Sequence, residues 1–174
     1  MERIQKGDTD AFSKLYDDLV RPIYRYFSFR VDPMIAEDLT EETFLKIWQN
    51  ISKYKKQENP FTSWVYRIAH NLVCDHYRKQ PSTYEEIDES LADPKKDAHP
   101  DHQMNRKLNE VHLREALLKL PDAYQQVITL KYINELENPV IAKTIQKSEG
   151  AVRILQFRAL KQLRTLLEEK QEDF

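Results

Sequence analysis

"NPVIAKTIQKSEGAVRILQFRALKQLRTLL", residues 138–167, decides how the chain is read. Asn138 is a residue type that caps helix N-termini, and Pro139 suits a first helical position, where its missing N–H costs nothing. Ala142 is small enough for a second helix to cross closely, and Ser148 offers a second N-cap. Val152 and Leu155 are spaced to pack back on the first helix. The pattern predicts helices at about 139–145 and 149–168 in a helix-turn-helix whose second member enters a DNA major groove. Ser148, Glu149, Arg153, Gln156, Arg158, Lys161 and Arg164 fall where contacts to base edges or phosphates would lie. Gln146 stands at the turn position where glycine is common, which predicts a less tightly wound turn. A solvated basic face on an ordinary helical hairpin is the competing reading.

Charge extends the argument outward. Residues 140–165 hold six bases against Glu149, a net +5, whereas residues 81–105 hold seven acids against Lys95 and Lys96, a net −5. The formal total of −2 conceals this segregation. The acidic stretch "QPSTYEEIDESLADPKKDAHPDHQ" has three prolines and few large apolar groups, too little to order itself by burial. It predicts a flexible acidic linker at 81–106 between small domains at 1–80 and 107–174. Elsewhere apolar residues recur at three- and four-residue spacing, which predicts an all-α fold. The further helices are expected near 8–31 (broken or bent at Pro22), 33–54, 61–79, 107–120 and 122–134. Only Gly7 and Gly150 are glycines, which excludes phosphate-cradling glycine loops. One cysteine, Cys74, excludes an internal disulfide framework. No signal-peptide pattern or long apolar run is present, so a cytoplasmic protein with no direct membrane insertion is expected.

Two N-terminal stretches carry opposite chemistry. In "AEDLTEETFLKIW" (36–48), helical spacing puts Ala36, Leu39, Thr43 and Ile47, with Ile51 beyond, on a buried side. Asp38, Glu41, Glu42, Leu45 and Gln49 lie on the other side, where one apolar residue among acids resembles an interface patch for a basic partner. Stabilisation of the helix N-terminus by its dipole is the alternative for Glu37 and Asp38. In "FTSWVYRIAHNLVCDHYRK" (61–79), Val65, Ile68, Ala69 and Leu72 form an apolar stripe. Arg67, Asn71, Asp75 and Arg78 recur on a polar face, interleaved with Tyr66, His70, His76 and Tyr77. Cations beside aromatic rings suit unstacked bases; for Trp64, Tyr66 and Tyr77 the alternative is core packing. No catalytic constellation is evident. His99, His102 and His112 lack cysteine neighbours and make no metal site, and Cys74 near His76 reads as packed within its helix. Neither an enzyme nor a cofactor is expected.

The ordered segments "GDTDAFSKLYDDLVRPIYRYF", "AEDLTEETFLKIW", "FTSWVYRIAHNLVCDHYRK", "LKLPDAYQQVITLKYI" and "SEGAVRILQFRALKQLR" resemble the extracytoplasmic-function (ECF, group 4) sigma factors of bacterial RNA polymerase. The resemblance implies a region 2 domain that binds core polymerase and the −10 promoter element, and a region 4 helix-turn-helix that binds the −35 element. Asp38, Leu39, Glu42, Thr43 and Phe44 match the motif that grips the polymerase clamp helices, with Glu41 and Leu45 beside it. Asn71, Asp75 and Arg78, flanked by Arg67, match the helix facing the −10 element. Lys53, Lys55, Lys56 and Asn59 lie in the loop matching the one that captures a flipped base, and Arg153 and Arg158 match the −35 reader. His70 stands where arginine is frequent, and Ile154 and Leu155 replace small and basic residues. The partners implied are core RNA polymerase (clamp helices and flap), promoter DNA and an anti-sigma factor.

In the family the two elements lie about two helical turns apart, roughly 70 Å. A flexible linker of about 25 residues spans roughly 25–30 Å as a coil. The free chain is therefore expected to bind promoters poorly until polymerase fixes the spacing. No segment follows the basic helix, so regulation by an appended domain is not expected. Two other functions compete: a helix-turn-helix regulator binding operators without polymerase, and a helical adaptor, which leaves the +5 block unexplained.

Overall fold

The computed structural model describes residues 2–79 and 102–172, with side chains described over 2–79 and 110–168. All regular structure among the described residues is helical: α1 (Glu2–Gln5), α2 (Thr9–Ser28), α3 (Pro33–Asn50), α4 (Phe61–Lys79), α5 (His102–Leu118), α6 (Asp122–Ile128), α7 (Asn138–Ile145) and α8 (Glu149–Glu172). A 3₁₀ turn (Ile51–Lys53) follows α3, and a π turn (Thr129–Ile133) follows α6. The all-α expectation holds. Residues 81–101 of the expected linker lie outside the described residues, but α5 begins at His102, so 102–106 are helical.

Local chemistry explains most boundaries. Asp8 caps α2 by accepting from the Ala11 N–H at 2.9 Å, and Asp32 caps α3 by accepting from the Met34 N–H at 3.1 Å. Pro33 then occupies the first turn of α3, where no donor is needed. Of the two outcomes expected at Pro22, a break does not occur: α2 runs through it. The proline removes a donor to the carbonyl of Asp18, a solvent-exposed position where water can serve instead. The Pro22 carbonyl itself accepts from Asn134 Nδ2 at 2.7 Å.

The apolar periodicities become two packed helical groups. Ile23 and Phe27 of α2 and Ile47 of α3 are wholly buried, as is Val73 of α4. In the second group Leu117, Val127, Leu130, Ile141, Val152 and Ala159 are wholly buried. Burying the larger of these side chains contributes about 1.5–3 kcal/mol each, which the short helices need because isolated segments of their length barely persist.

The two groups also pack on each other, which residue spacing did not reveal. Ser63 Oγ donates to the Val140 carbonyl (3.0 Å), and Arg114 Nη2 donates to the Val31 carbonyl (2.8 Å). Arg30, fully buried at the end of α2, donates through Nη1 to Tyr26 Oη at 2.9 Å and through Nη2 to Asp122 of α6. Burial pushes the Tyr26 phenol up to about 12, so the ring stays protonated and serves as a neutral partner beside the guanidinium. Asp122 is the carboxylate facing that cation, and its side chain is half exposed.

Candidate polymerase and nucleic-acid interface

α3 divides along its length as the spacing predicts, with one correction to the site. Asp38, Glu41, Glu42 and Leu45 are exposed, Leu45 at 55%. Leu39, Thr43 and Phe44 are buried. Thr43 Oγ1 donates to the Leu39 carbonyl at 2.7 Å, and Phe44 packs on Tyr16 with ring centroids 4.5 Å apart. These three residues set the rotation of the helix and present nothing to a partner. Trp48 (37% exposed) and Met34 (71%) extend the apolar part of the same region, a contribution that the spacing did not single out. An apolar centre ringed by Asp38, Glu41 and Glu42 is a surface for a partner with a basic rim. Glu42 also reaches Lys46 at 3.5 Å, an exposed pair of small energetic weight.

On α4 the apolar stripe faces inward, with Val65, Ala69 and Leu72 buried and Ile68 partly so. Asn71 and Arg78 are exposed; Asp75 accepts from Arg78 Nη2 at 2.8 Å. Lys53, Asn71 and Asp75 line one groove of about 360 Å³ with Trp64 as a wall. The aromatic residues divide. Tyr66 is buried against Tyr26, its ring centroid 5.4 Å away, and cannot stack on a base. Trp64 is half-buried beside Tyr54 and Phe61, whereas Tyr77 is 45% exposed and donates to the Arg30 carbonyl. The loop carrying Lys55, Lys56 and Asn59 is pinned from beneath, because buried Tyr54 donates through Oη to the Asn59 carbonyl at 2.9 Å. Lys55 pairs with Glu58 at 3.2 Å, leaving its ammonium at the surface.

Helices α7 and α8 form the expected helix-turn-helix, but the turn is tight. Gln146 adopts the left-handed conformation (φ 55°, ψ 46°), and its N–H donates to the Ala142 carbonyl, as does that of Lys147 at 3.0 Å. A non-glycine residue there costs roughly 1–2 kcal/mol, which the packing of Ile141 and Val152 offsets. The expectation of a loosely wound turn is therefore corrected. Ser148 caps α8 as predicted, accepting from the Ala151 N–H at 3.2 Å. Asn138 does not cap α7: the helix begins on it, with Pro139 in the first turn. Its Oδ1 instead accepts from Gln156 Nε2 at 2.9 Å. That bond removes Gln156, only 8% exposed, from the expected base contacts and makes it a brace between the two helices. Ser148, Glu149, Arg153, Arg158 and Lys161 remain exposed, and Arg153 pairs with Glu149 at 3.5 Å.

The closed packing brings the two DNA-facing candidates together. Arg67 Nη2 donates to the Lys143 carbonyl at 3.3 Å, and Asn59, Arg67, Ser148 and Glu149 line one cleft of about 600 Å³. Cys74 packs within its helix as expected, its sulfur meeting His70 Nε2 one turn away at 3.4 Å. Burial raises the thiol pKa, and Asp122 adds to the effect. Burial lowers that of His70, followed by the charge of Arg30. Arg30 and Asp122 were invisible in the sequence as a pair, because 92 positions separate them. No helix among the described residues is long and apolar enough to cross a membrane.

Comparison with known proteins agrees with this two-unit helical fold. Residues 11–83 match the family described as Sigma-70 region 2, and residues 111–163 match Sigma-70, region 4. The chain is 34% identical over 169 residues to the ECF RNA polymerase sigma factor BldN of Streptomyces coelicolor, covering 96% of this chain and 64% of BldN. It is 29% identical over 184 residues to the ECF RNA polymerase sigma factor SigW of Bacillus subtilis, covering 96% of this chain and 94% of SigW. The fold superposes on CnrH, solved in complex with the cytosolic domain of CnrY, with a TM-score of 0.74 at 22% identity, over 97% of this chain and 94% of that one. Two family matches in the order of the helices, together with these relatives, establish that the chain belongs to the ECF sigma factors of RNA polymerase.

Proposed function

We propose that this protein directs core RNA polymerase to promoters and assists DNA melting, acting in the cytoplasm by recruitment rather than by bond chemistry. The observation that carries this reading is the division of labour between faces. The exposed acids of α3 surround Leu45, whereas the 53–59 loop, the end of α4 and α8 each carry exposed cations, among them Lys55, Arg78 and Arg158. A DNA-binding protein that acts alone has no use for an acidic, partly apolar surface, since phosphate repels it. An operator-binding regulator is therefore the weaker reading.

In this assignment residues 1–80 bind polymerase and the −10 element, residues 107–174 bind the −35 element, and 81–106 connect them. Asp38, Glu41, Glu42 and Leu45 face the clamp helices. Lys53, Lys55, Lys56, Asn59, Arg67, Asn71, Asp75 and Arg78 serve the −10 region, and Ser148, Glu149, Arg153, Arg158 and Lys161 serve the −35 region. The flap of polymerase would carry the second unit, and an anti-sigma factor is the regulatory partner that family membership suggests. The closed packing supports the idea that polymerase must separate the units, since Arg67 is engaged with α7.

Run-off transcription on a genomic library with core polymerase, with and without this chain, tests the proposal. Transcripts from defined start sites are expected only when both are present; their absence, or a footprint by the chain alone equal to that of the holoenzyme, would overturn it. Glu42→Lys places a cation against a basic partner rim and is expected to weaken core binding at least tenfold at low salt. A gel-shift titration of core polymerase measures this, and unchanged affinity removes Glu42 from the interface. Asn71→Ala and Arg78→Ala are expected to slow open-complex formation roughly tenfold, the loss of about 1–3 kcal/mol of contact. Permanganate footprinting reads the melting, while core affinity stays within twofold; equal losses in both assays would contradict the −10 assignment.

A further inference from the structure

We propose that His70, Cys74 and Asp122 form a binding site for a zinc-class divalent metal ion that clasps α4 to α6. His70 and Cys74 sit four residues apart on α4, hence on one face, and Asp122 arrives from the start of α6 in the second unit. One donor atom from each lies within 4.8 Å of the others. Tetrahedral zinc has bonds of about 2.3 Å to sulfur and 2.0–2.1 Å to nitrogen, which puts two such ligands roughly 3.5 Å apart. The Nε2 to Sγ separation is already 3.4 Å. Modest side-chain closure would bring in the carboxylate.

The donors fit the ion chemically. Thiolate and imidazole select zinc or cobalt over magnesium and calcium, which require oxygen cages. His70 has little to lose within the protein: Nδ1 is buried without a hydrogen-bond partner, and Nε2 meets only the weakly bonding thiol. Binding would release one proton from Cys74 Sγ to solvent, and the thiolate and carboxylate together would neutralise the divalent charge. Arg30 takes Oδ1 of Asp122, and a carboxylate has a second oxygen for the metal, against which the charge of the nearby guanidinium is a cost. Three protein ligands leave one position for water.

The site spans the two units, so the metal binds the closed arrangement and opposes their separation. At a free metal concentration one hundred times the dissociation constant, the closed form gains about 100-fold over an open form that lacks the site. The site itself does not depend on the polymerase reading.

Titration of the reduced full-length chain with Co²⁺, followed by Zn²⁺ competition, tests the site. One equivalent of Co²⁺ is expected to produce thiolate-to-cobalt charge-transfer absorption, which Zn²⁺ abolishes. Cys74→Ser is expected to remove the band and weaken Zn²⁺ binding at least 100-fold. His70→Gln and Asp122→Asn are each expected to weaken binding at least tenfold, the latter variant retaining an oxygen for Arg30. A missing charge-transfer band overturns the proposal. So does Asp122→Asn binding as tightly as the parent chain, since the ion would then sit on α4 alone. Should Cys74→Ser fail to fold, an unchanged affinity in His70→Gln overturns the site independently.

Discussion

Asp122→Ala is expected to open the molecule. Arg30 is wholly buried, and Asp122 is the carboxylate that faces its guanidinium from the second unit. Removing one partner of a buried pair costs about 3–5 kcal/mol, because the remaining charge is stranded away from water. The Asp122 side chain is 55% exposed, which places the loss at the low end, about 3 kcal/mol. The cheapest relief is for α6 and its neighbours to swing away and admit water to Arg30. A loss of about 3 kcal/mol shifts the closed-to-open ratio roughly 100-fold. Small-angle scattering on the free chain measures the outcome: the radius of gyration should rise by several ångströms from the roughly 16 Å expected of a compact body this long. Asp122→Asn, which keeps an acceptor for Arg30, should remain compact. An Asp122→Ala chain as compact and as resistant to urea as the parent would show that the pair does not hold the units together.

Ile141→Ala is the second substitution with a large expected effect. Ile141 is wholly buried on α7, an eight-residue helix too short to persist without its packing against α8. Truncating a buried isoleucine costs about 2–5 kcal/mol, part lost burial and part cavity. The strained left-handed residue at Gln146 depends on the same packing, so the helix-turn-helix should loosen as a unit. In urea the transition of the second unit should move to lower denaturant with its slope preserved. Binding to the upstream promoter element should fall at least tenfold, while core polymerase affinity through α3 changes little. Intact upstream binding would mean that α8 is positioned by something other than α7.

Much of this protein was legible because its short-range rules agree with one another. The cap at Ser148 and the buried stripes of α3 and α4 follow from local spacing, and so does the pairing of α7 with α8. The exposed acids of α3 and the exposed cations of α8 were legible for the same reason: helical periodicity assigns a face without reference to distant chain. Residues that matched a motif but faced inward were harder to place. The resemblance sets Leu39, Thr43 and Phe44 in the polymerase-binding motif, yet all three are buried beneath the exposed acids. Gln156 looked like a base reader at its helical position until its amide was found bonded to Asn138.

The amino-acid sequence by itself determined the helices, the cap at Ser148, the two-unit all-α plan and the family, because these rest on residue spacing within short segments. Only the tertiary structure decided that the units close on each other, that Arg30 meets Asp122, and that His70, Cys74 and Asp122 converge. The physical reason is distance along the chain. A contact between residues 30 and 122 leaves no periodicity to read, and it exists only once two independently formed hydrophobic surfaces have chosen a common orientation.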